Sequence, residues 1–300
     1  MRDLKPHRFT PRDDTVGIYM KKLFLILSLF VLMIHVAVCE ENVFNFNLSK
    51  DVQKIVVLIQ GEQEGGQTYA PAGTGFFYNS GKWVYLITMK HVLLDKYKPE
   101  EFSYKKVKCL FYTAGSKEDV SNELTIGLSA DMLNKTIFLS QKDVAAVRLG
   151  RYRSGAWEYV SPQIAWNNAK QGKSMICGAQ EVSLKFDNID ITENTIIFGF
   201  PPASGGYNID FPLFRKGIVA GKDYDKKVLV LDSLVAPGNA GGPAFVLRQN
   251  TMIEKYFYLI GLTTEYVPFS SASKEEKKNA GYTVVEPMDT VFELIKQAER

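Results

Sequence analysis

The sequence predicts an all-β fold closed by one C-terminal helix. Three observations carry this expectation. Runs of Val, Ile, Phe, Tyr and Thr alternate with Gly, Asn and Asp clusters, the pattern of short strands joined by tight turns. The stretch Pro287 to Gln297 breaks that pattern, because Met288, Val291, Phe292, Leu294 and Ile295 recur at helical spacing. The length of 300 residues suits one two-lobed domain, or two small domains, behind a leader. No internal repeat or low-complexity segment is found.

The chain opens on a polar stretch with Arg2, Lys5, Arg8 and Arg12, then Met20-Lys21-Lys22, then an apolar run from Leu23 to Val38. A basic start, a short apolar run and a small-residue exit make a secretory signal pattern. The run falls short of the roughly 20 residues that a spanning helix needs. Residues 1–39 therefore read as a leader, with Met20 an alternative start, and the mature chain is expected to begin near Glu40. The product would be secreted or periplasmic, with no transmembrane segment in the mature chain. Lipidation of Cys39 is the rival reading, and Val38 fits a lipobox poorly. A retained membrane anchor comes third.

Beyond the leader, Val52 to Gln60 reads as a strand. Gly61 to Tyr69 is a polar loop. Gly73 to Tyr78 and Trp83 to Thr88 flank Asn79-Ser80-Gly81-Lys82 as a hairpin. Strands are expected over Tyr104 to Tyr112, Leu124 to Ile126 and Asn134 to Leu139, and from Val144 to Leu149 behind Asp143. Residues 40–150 then form a first lobe. Residues 151–173, with Trp157, Pro162 and Trp166, read as a connection with a short helix. A second lobe, 174–300, contains a hairpin or loop insert over Gln180 to Glu193. Its strands lie at Thr195 to Pro201, Phe211 to Ala220, Lys227 to Leu231, Ala244 to Leu247 and Tyr256 to Thr264. Ser270 to Asn279 is a charged surface loop.

Composition excludes several classes of function. The net charge is +3 and well mixed, so no clustered basic footprint for nucleic acid stands out. No Cys/His group has zinc-ligand spacing, and no glycine loop has phosphate-cradle spacing. No metal or other cofactor is expected. Of the three cysteines, Cys109 and Cys177 are candidates for pairing, which spacing alone does not decide.

Chemistry concentrates at Pro237-Gly238-Asn239-Ala240-Gly241-Gly242-Pro243. Glycines allow positive φ and close backbone approach. Several of them around one small residue let amide groups converge on a point, as an oxyanion hole requires. Such a stretch is equally a tight loop without chemistry. The central residue here is Ala240, and a methyl group is no nucleophile. His7 and His35 fall in the leader, so His91 is the single imidazole of the mature chain. It follows an apolar strand. Asp143 heads another, and by itself is an ordinary strand-edge acid.

His91, Asp143 and the glycine turn follow one another at roughly fifty and roughly a hundred residues, in the His–Asp–Ser order of one peptidase class. With Gly73-Thr74-Gly75-Phe76, Leu86-Ile87-Thr88, Asp143-Val144-Ala145, Gly238-Asn239-x-Gly241-Gly242-Pro243 and Gly261-Leu262-Thr263-Thr264, the chain resembles the chymotrypsin-like serine peptidases, in particular secreted bacterial trypsin-like domains. The resemblance spans about residues 50 to 298. It implies two six-stranded β-barrels with a cleft between them. It also implies His91 as general base, Asp143 as its orienter, and Gly238 and Ala240 amides as the oxyanion hole. Leu234 and Val235 would lie at the pocket base, and Thr263, Thr264 and Glu265 along a bound extended peptide. The departure is Ala240, where the family has serine.

Three readings follow. The chain is a peptide-binding pseudopeptidase, or an active serine endopeptidase inactivated by a Ser-to-Ala substitution, or a β-barrel scaffold whose cleft is idle. Leu234 and Val235, in place of an acid, favour an apolar pocket.

Overall fold

The structure, a computed structural model of the chain, describes residues 52–95, 97–98, 100–112, 122–153, 156–166, 175–201, 212–249, 255–268 and 279–300. The leader with Cys39, and residues 270–278 of the expected surface loop, lie outside the described residues. All described residues belong to one compact unit, Phe46–Arg300.

The first lobe begins with a 3-10 turn, Val52–Ile55, followed by β1 (Val56–Glu62), β2 (Tyr69–Asn79) and β3 (Val84–Met89). The strand expected from Val52 thus starts at Val56. The hairpin of β2 and β3 forms as expected, with Phe76 opposite Ile87. Its turn is set by side chains: Asn79 Oδ1 accepts the Gly81 amide at 2.9 Å, and Gly81 takes φ 84°. A short helix α1 (Lys90–Leu93) follows directly, so His91 sits on a helical turn rather than in extended chain. Strands β4 (Lys106–Phe111), β5 (Asn122–Gly127), β6 (Ile137–Leu139) and β7 (Val144–Arg153) come next.

The stretch read as a connection is largely strand. Residues Ala156–Tyr159 (β8) pair with β7, and Ile164–Trp166 (β9) pair with β5. Aromatic packing explains this: Trp166 lies 5.5 Å from Phe111 and 6.1 Å from Trp157, so these side chains extend the first core. Among the described residues the first lobe is a nine-stranded sheet, in the order β6-β7-β3-β2-β1-β4-β5-β9 with β8 against β7.

The second lobe is a closed six-stranded barrel. It comprises β10 (Asn194–Gly199), β11 (Leu213–Asp223), β12 (Val228–Asp232), β13 (Pro243–Gln249), β14 (Lys255–Pro268) and β15 (Asn279–Pro287), ordered β10-β11-β12-β15-β14-β13. The residues Gln180 to Glu193 hold two 3-10 turns. β15 has no counterpart among the expected strands; its Tyr282-Thr283-Val284-Val285 run is short and lies between a polar loop and a helix. Inward side chains from the strands, among them Ile197, Val219, Leu231, Val246, Ile260 and Val285, fill the barrel.

The C-terminal helix α2 (Met288–Ala298) buries Met288, Val291, Leu294, Ile295 and Ala298. It returns to the first lobe, where Tyr85 and Ser80 both donate to Glu299 Oε1, at 3.1 and 2.6 Å. Arg148 Nη2 donates to the Ala298 carbonyl. No described helix is long and apolar enough to cross a membrane. Cys109 and Cys177 are buried free thiols and do not pair.

Candidate functional site

Sheet register brings His91 and Asp143 together. Met89 at the end of β3 lies opposite Val144 at the start of β7. The chain therefore delivers Asp143, just before β7, beside His91, two residues past β3. His91 Nδ1 and Asp143 Oδ2 are 2.6 Å apart, and the His91 amide donates to Asp143 Oδ1 at 3.2 Å. The Lys90 amide adds a 3.3 Å bond to the Asp143 carbonyl. A carboxylate on Nδ1 favours the tautomer with the proton there, leaving Nε2 as the acceptor. Both side chains are open to solvent, at 42% and 46%. The template of the resemblance buries its aspartate, so this pair is better hydrated.

The glycine turn needs its glycines. Gly238 and Gly241 have φ of 92° and 84°. A Cβ on Gly241 would lie 2.1 Å from the Thr74 carbonyl oxygen, and one on Gly242 would lie 2.1 Å from that of Phe198. The turn is held by Asn239 N to Ala236 O at 3.1 Å and Gly242 N to Asn239 O at 2.8 Å. Gly241 N donates to Thr263 O, and Thr263 N to Gly242 O, each at 2.8 Å. Among the described residues, no protein acceptor is found for the Gly238 and Ala240 amides, while those of Asn239, Gly241 and Gly242 are all engaged. This alternation leaves two donors at one turn, as an oxyanion site requires.

Thr74 ties this turn to the first lobe. Its amide donates to the Ala240 carbonyl at 2.9 Å and its hydroxyl to the Gly238 carbonyl at 2.6 Å. Its own carbonyl accepts Thr88 Oγ1 at 2.7 Å. The neighbouring Gly73 has no room for a side chain: a Cβ there would meet Val92 at 2.7 Å and Ala240 O at 3.3 Å. The helical turn carrying His91 and the turn carrying Ala240 therefore both close on β2 at Gly73. The chemical content is an oriented imidazole and two free amides beside a methyl group.

The expected substrate residues divide. Leu234 is 47% exposed, whereas Val235 is buried in the second-lobe core. Val235 does not line a pocket: it is 6% exposed and packs with the inward side chains of the barrel. Thr263 is also corrected. It is 1% exposed, and both its backbone groups hold the glycine turn, so it supports that turn instead of facing a peptide. Thr264 is half-buried, with its hydroxyl donating to Val284 O at 3.2 Å. Glu265 lies on β14, and its side chain is outside the described residues. Among the described residues no cluster of three or more His, Cys, Asp or Glu side chains could hold a metal ion.

The profile of the trypsin-like peptidase domain matches residues 73–253, more than half of the chain. The chain belongs to that family. Its all-β architecture, with two lobes and a C-terminal helix, is that of the chymotrypsin-like serine peptidases. A search of curated proteins found no match. Among solved structures, the serine endoprotease from Yersinia pestis is similar to this trypsin-like domain, with 14% identity and a TM-score of 0.44. The alignment covers 82% of this chain and 63% of that one, so the domain spans less than two thirds of that structure's length.

Two features of this trypsin-like domain escaped the sequence reading. Thr74 was visible only as the middle of Gly73-Thr74-Gly75, and its role depends on a partner 164 residues away. Lys142, next to Asp143, carries no sequence signal for its role: no spacing rule marks its partner, Glu286, at a separation of 144 residues.

Proposed function

We propose that this trypsin-like domain binds peptides in extended conformation in its inter-lobe cleft and does not hydrolyse them. The observation that carries the proposal is Ala240 at the centre of a turn with two free amides, held beside an assembled His91–Asp143 pair. A methyl group forms no acyl bond. Loss of a triad nucleophile costs about a factor of 10⁶ in turnover. Removal of one oxygen leaves the backbone groups of the cleft unchanged. Strand addition along β14 beyond Thr263 is the recognition mode proposed, since main-chain hydrogen bonding gives affinity without chemistry. Exposed Leu234 favours an apolar side chain in the adjoining subsite.

The test is titration of a peptide library, followed by incubation of the bound peptides and casein with the protein. Saturable binding without cleavage supports the proposal. Cleavage, or binding mapped away from the lobe interface, rejects it. Failure of every peptide to saturate favours an idle scaffold.

The His91–Asp143 contact also favours a second reading. Peptide binding alone does not need an oriented imidazole. An active serine endopeptidase carrying a Ser-to-Ala substitution would retain one. The codon at position 240 of the natural gene separates the two. The basic–apolar leader supports export, with cleavage near Glu40. Intact mass of exported protein tests this, and a lipid increment on Cys39 would favour the anchored form.

A further inference from the structure

We propose that Lys142 is a positioning residue: it fastens the loop carrying Asp143 to the second lobe and so sets the alignment of the His91–Asp143 pair. Lys142 immediately precedes Asp143, yet its ammonium leaves the first lobe altogether. It donates to Glu286 Oε1 at 2.6 Å, to Lys226 O at 2.9 Å and to Lys227 O at 3.1 Å. An ammonium has three donors, and all three acceptors lie in the second lobe. The Glu286 side chain is only 5% exposed. A carboxylate that deep is costly without a charged partner, so the ion pair is a fixed point rather than a loose surface contact.

Each end of the tether is built to hold position. On the first-lobe side, Ser140 Oγ donates to Lys142 O at 2.8 Å and accepts the Val144 amide at 3.2 Å, closing a tight turn around Asp143. On the second-lobe side, Lys227 has φ 50°, a left-handed conformation that a lysine seldom adopts. Asp223 Oδ1 fixes the same turn by accepting the Asp225 and Lys226 amides at 3.1 and 2.9 Å. That conformation presents two successive carbonyls to one ammonium. Glu286 also accepts from Thr290 Oγ1 of α2.

The destination of the tether gives it a role in the site. Glu286 lies opposite Leu262 in the β14–β15 register. The next residue of β14, Thr263, holds the glycine turn through two 2.8 Å backbone bonds. One strand pair therefore anchors both the turn with the free amides and, through Lys142, the loop of Asp143. Position 240 and His91 derive from different lobes, and this shared anchor keeps them in register. The importance of that register rests on the cleft reading above; the tether itself does not.

The experiment is ¹⁵N NMR of the His91 ring in the full chain, at a pH where the imidazole is neutral, with His91→Ala assigning the signal among three histidines. The readout is the ratio of the Nδ1–H to the Nε2–H tautomer, which a merely structural contact would not move. The unaltered protein is expected to hold the Nδ1–H tautomer. Lys142→Met should lower the ratio roughly tenfold, the size of losing one good hydrogen bond, and Lys142→Arg should restore most of it. Glu286→Gln, which leaves the lysine in place, is the independent second variant and should lower the ratio too. Loss of the tautomer preference in either folded variant supports the tether. Retention in the folded variants, or no Nδ1–H preference in the unaltered protein, overturns it. No peptide is present, so a cleft that binds nothing beside a Lys142-dependent ratio rejects the function and leaves the tether standing.

Discussion

Thr74 Oγ1 donates a 2.6 Å hydrogen bond to the carbonyl oxygen of Gly238, joining the two lobes at the glycine turn. The same hydroxyl oxygen accepts the Phe200 amide at 3.0 Å. Thr74 is fully buried. Replacement by the isosteric valine removes both bonds and leaves a part-buried carbonyl and a buried amide unpaired. Each unsatisfied group costs about 1–3 kcal/mol. Thr74→Val should lower the unfolding free energy by about 2–4 kcal/mol in urea denaturation, whereas Thr74→Ser should recover most of it. A shift below about 0.5 kcal/mol, the scatter of ordinary surface substitutions, would contradict this.

Two glycines with the same φ of 84° separate backbone strain from crowding. Gly81 has open space where a Cβ would go, and Gly241 has the Thr74 carbonyl oxygen at 2.1 Å. Gly81→Ala should cost about 1 kcal/mol, from backbone strain alone. Gly241→Ala should cost at least about 3 kcal/mol, since strain and a steric clash with main chain add. Thermal unfolding of the two variants side by side is the check. Equal losses would mean that the glycine turn is not packed against β2.

Cys109 and Cys177 should be inert in the folded protein. Burial pushes both thiols well above the usual cysteine range. The thiolate is the reactive form, so alkylation requires opening of the fold. Mass spectrometry after brief maleimide treatment should show neither residue labelled in native buffer and both labelled in denaturant. Rapid native labelling of either one would contradict the packing of its lobe.

The fold was legible wherever side-chain alternation was strong. The hairpin around Asn79-Ser80-Gly81 was visible because the turn chemistry and both flanking apolar runs agree. The C-terminal helix was visible in the spacing of Met288, Val291 and Leu294-Ile295. Residues 151–166 were misread because Trp157, Tyr159 and Trp166 look like loop aromatics until Phe111 is known to face them. β15 was missed because the polar stretch before it and the helix after it dominate the local pattern. The His91–Asp143 contact was accessible through the resemblance, and the register that creates it was not. Val235 and Thr263 were placed in the cleft by position in a motif. Core packing and backbone pairing send them inward instead, and neither effect is visible in a motif. Cross-lobe partners such as Thr74–Gly238 and Lys142–Glu286 depend on long-range packing alone.

On the proposed reading the cleft lacks one oxygen, at position 240. The Ala240→Ser variant tests this directly, treated with a fluorophosphonate probe and with the peptides that bind the unaltered protein. The exchange adds a single oxygen, and Asp143 already engages His91 Nδ1, which leaves Nε2 to act as base. The unaltered protein should not be labelled, Ala240→Ser should raise labelling and hydrolysis by orders of magnitude, and adding His91→Ala should lose most of that gain. A folded Ala240→Ser variant that neither reacts with the probe nor cleaves any bound peptide would contradict the proposed reading.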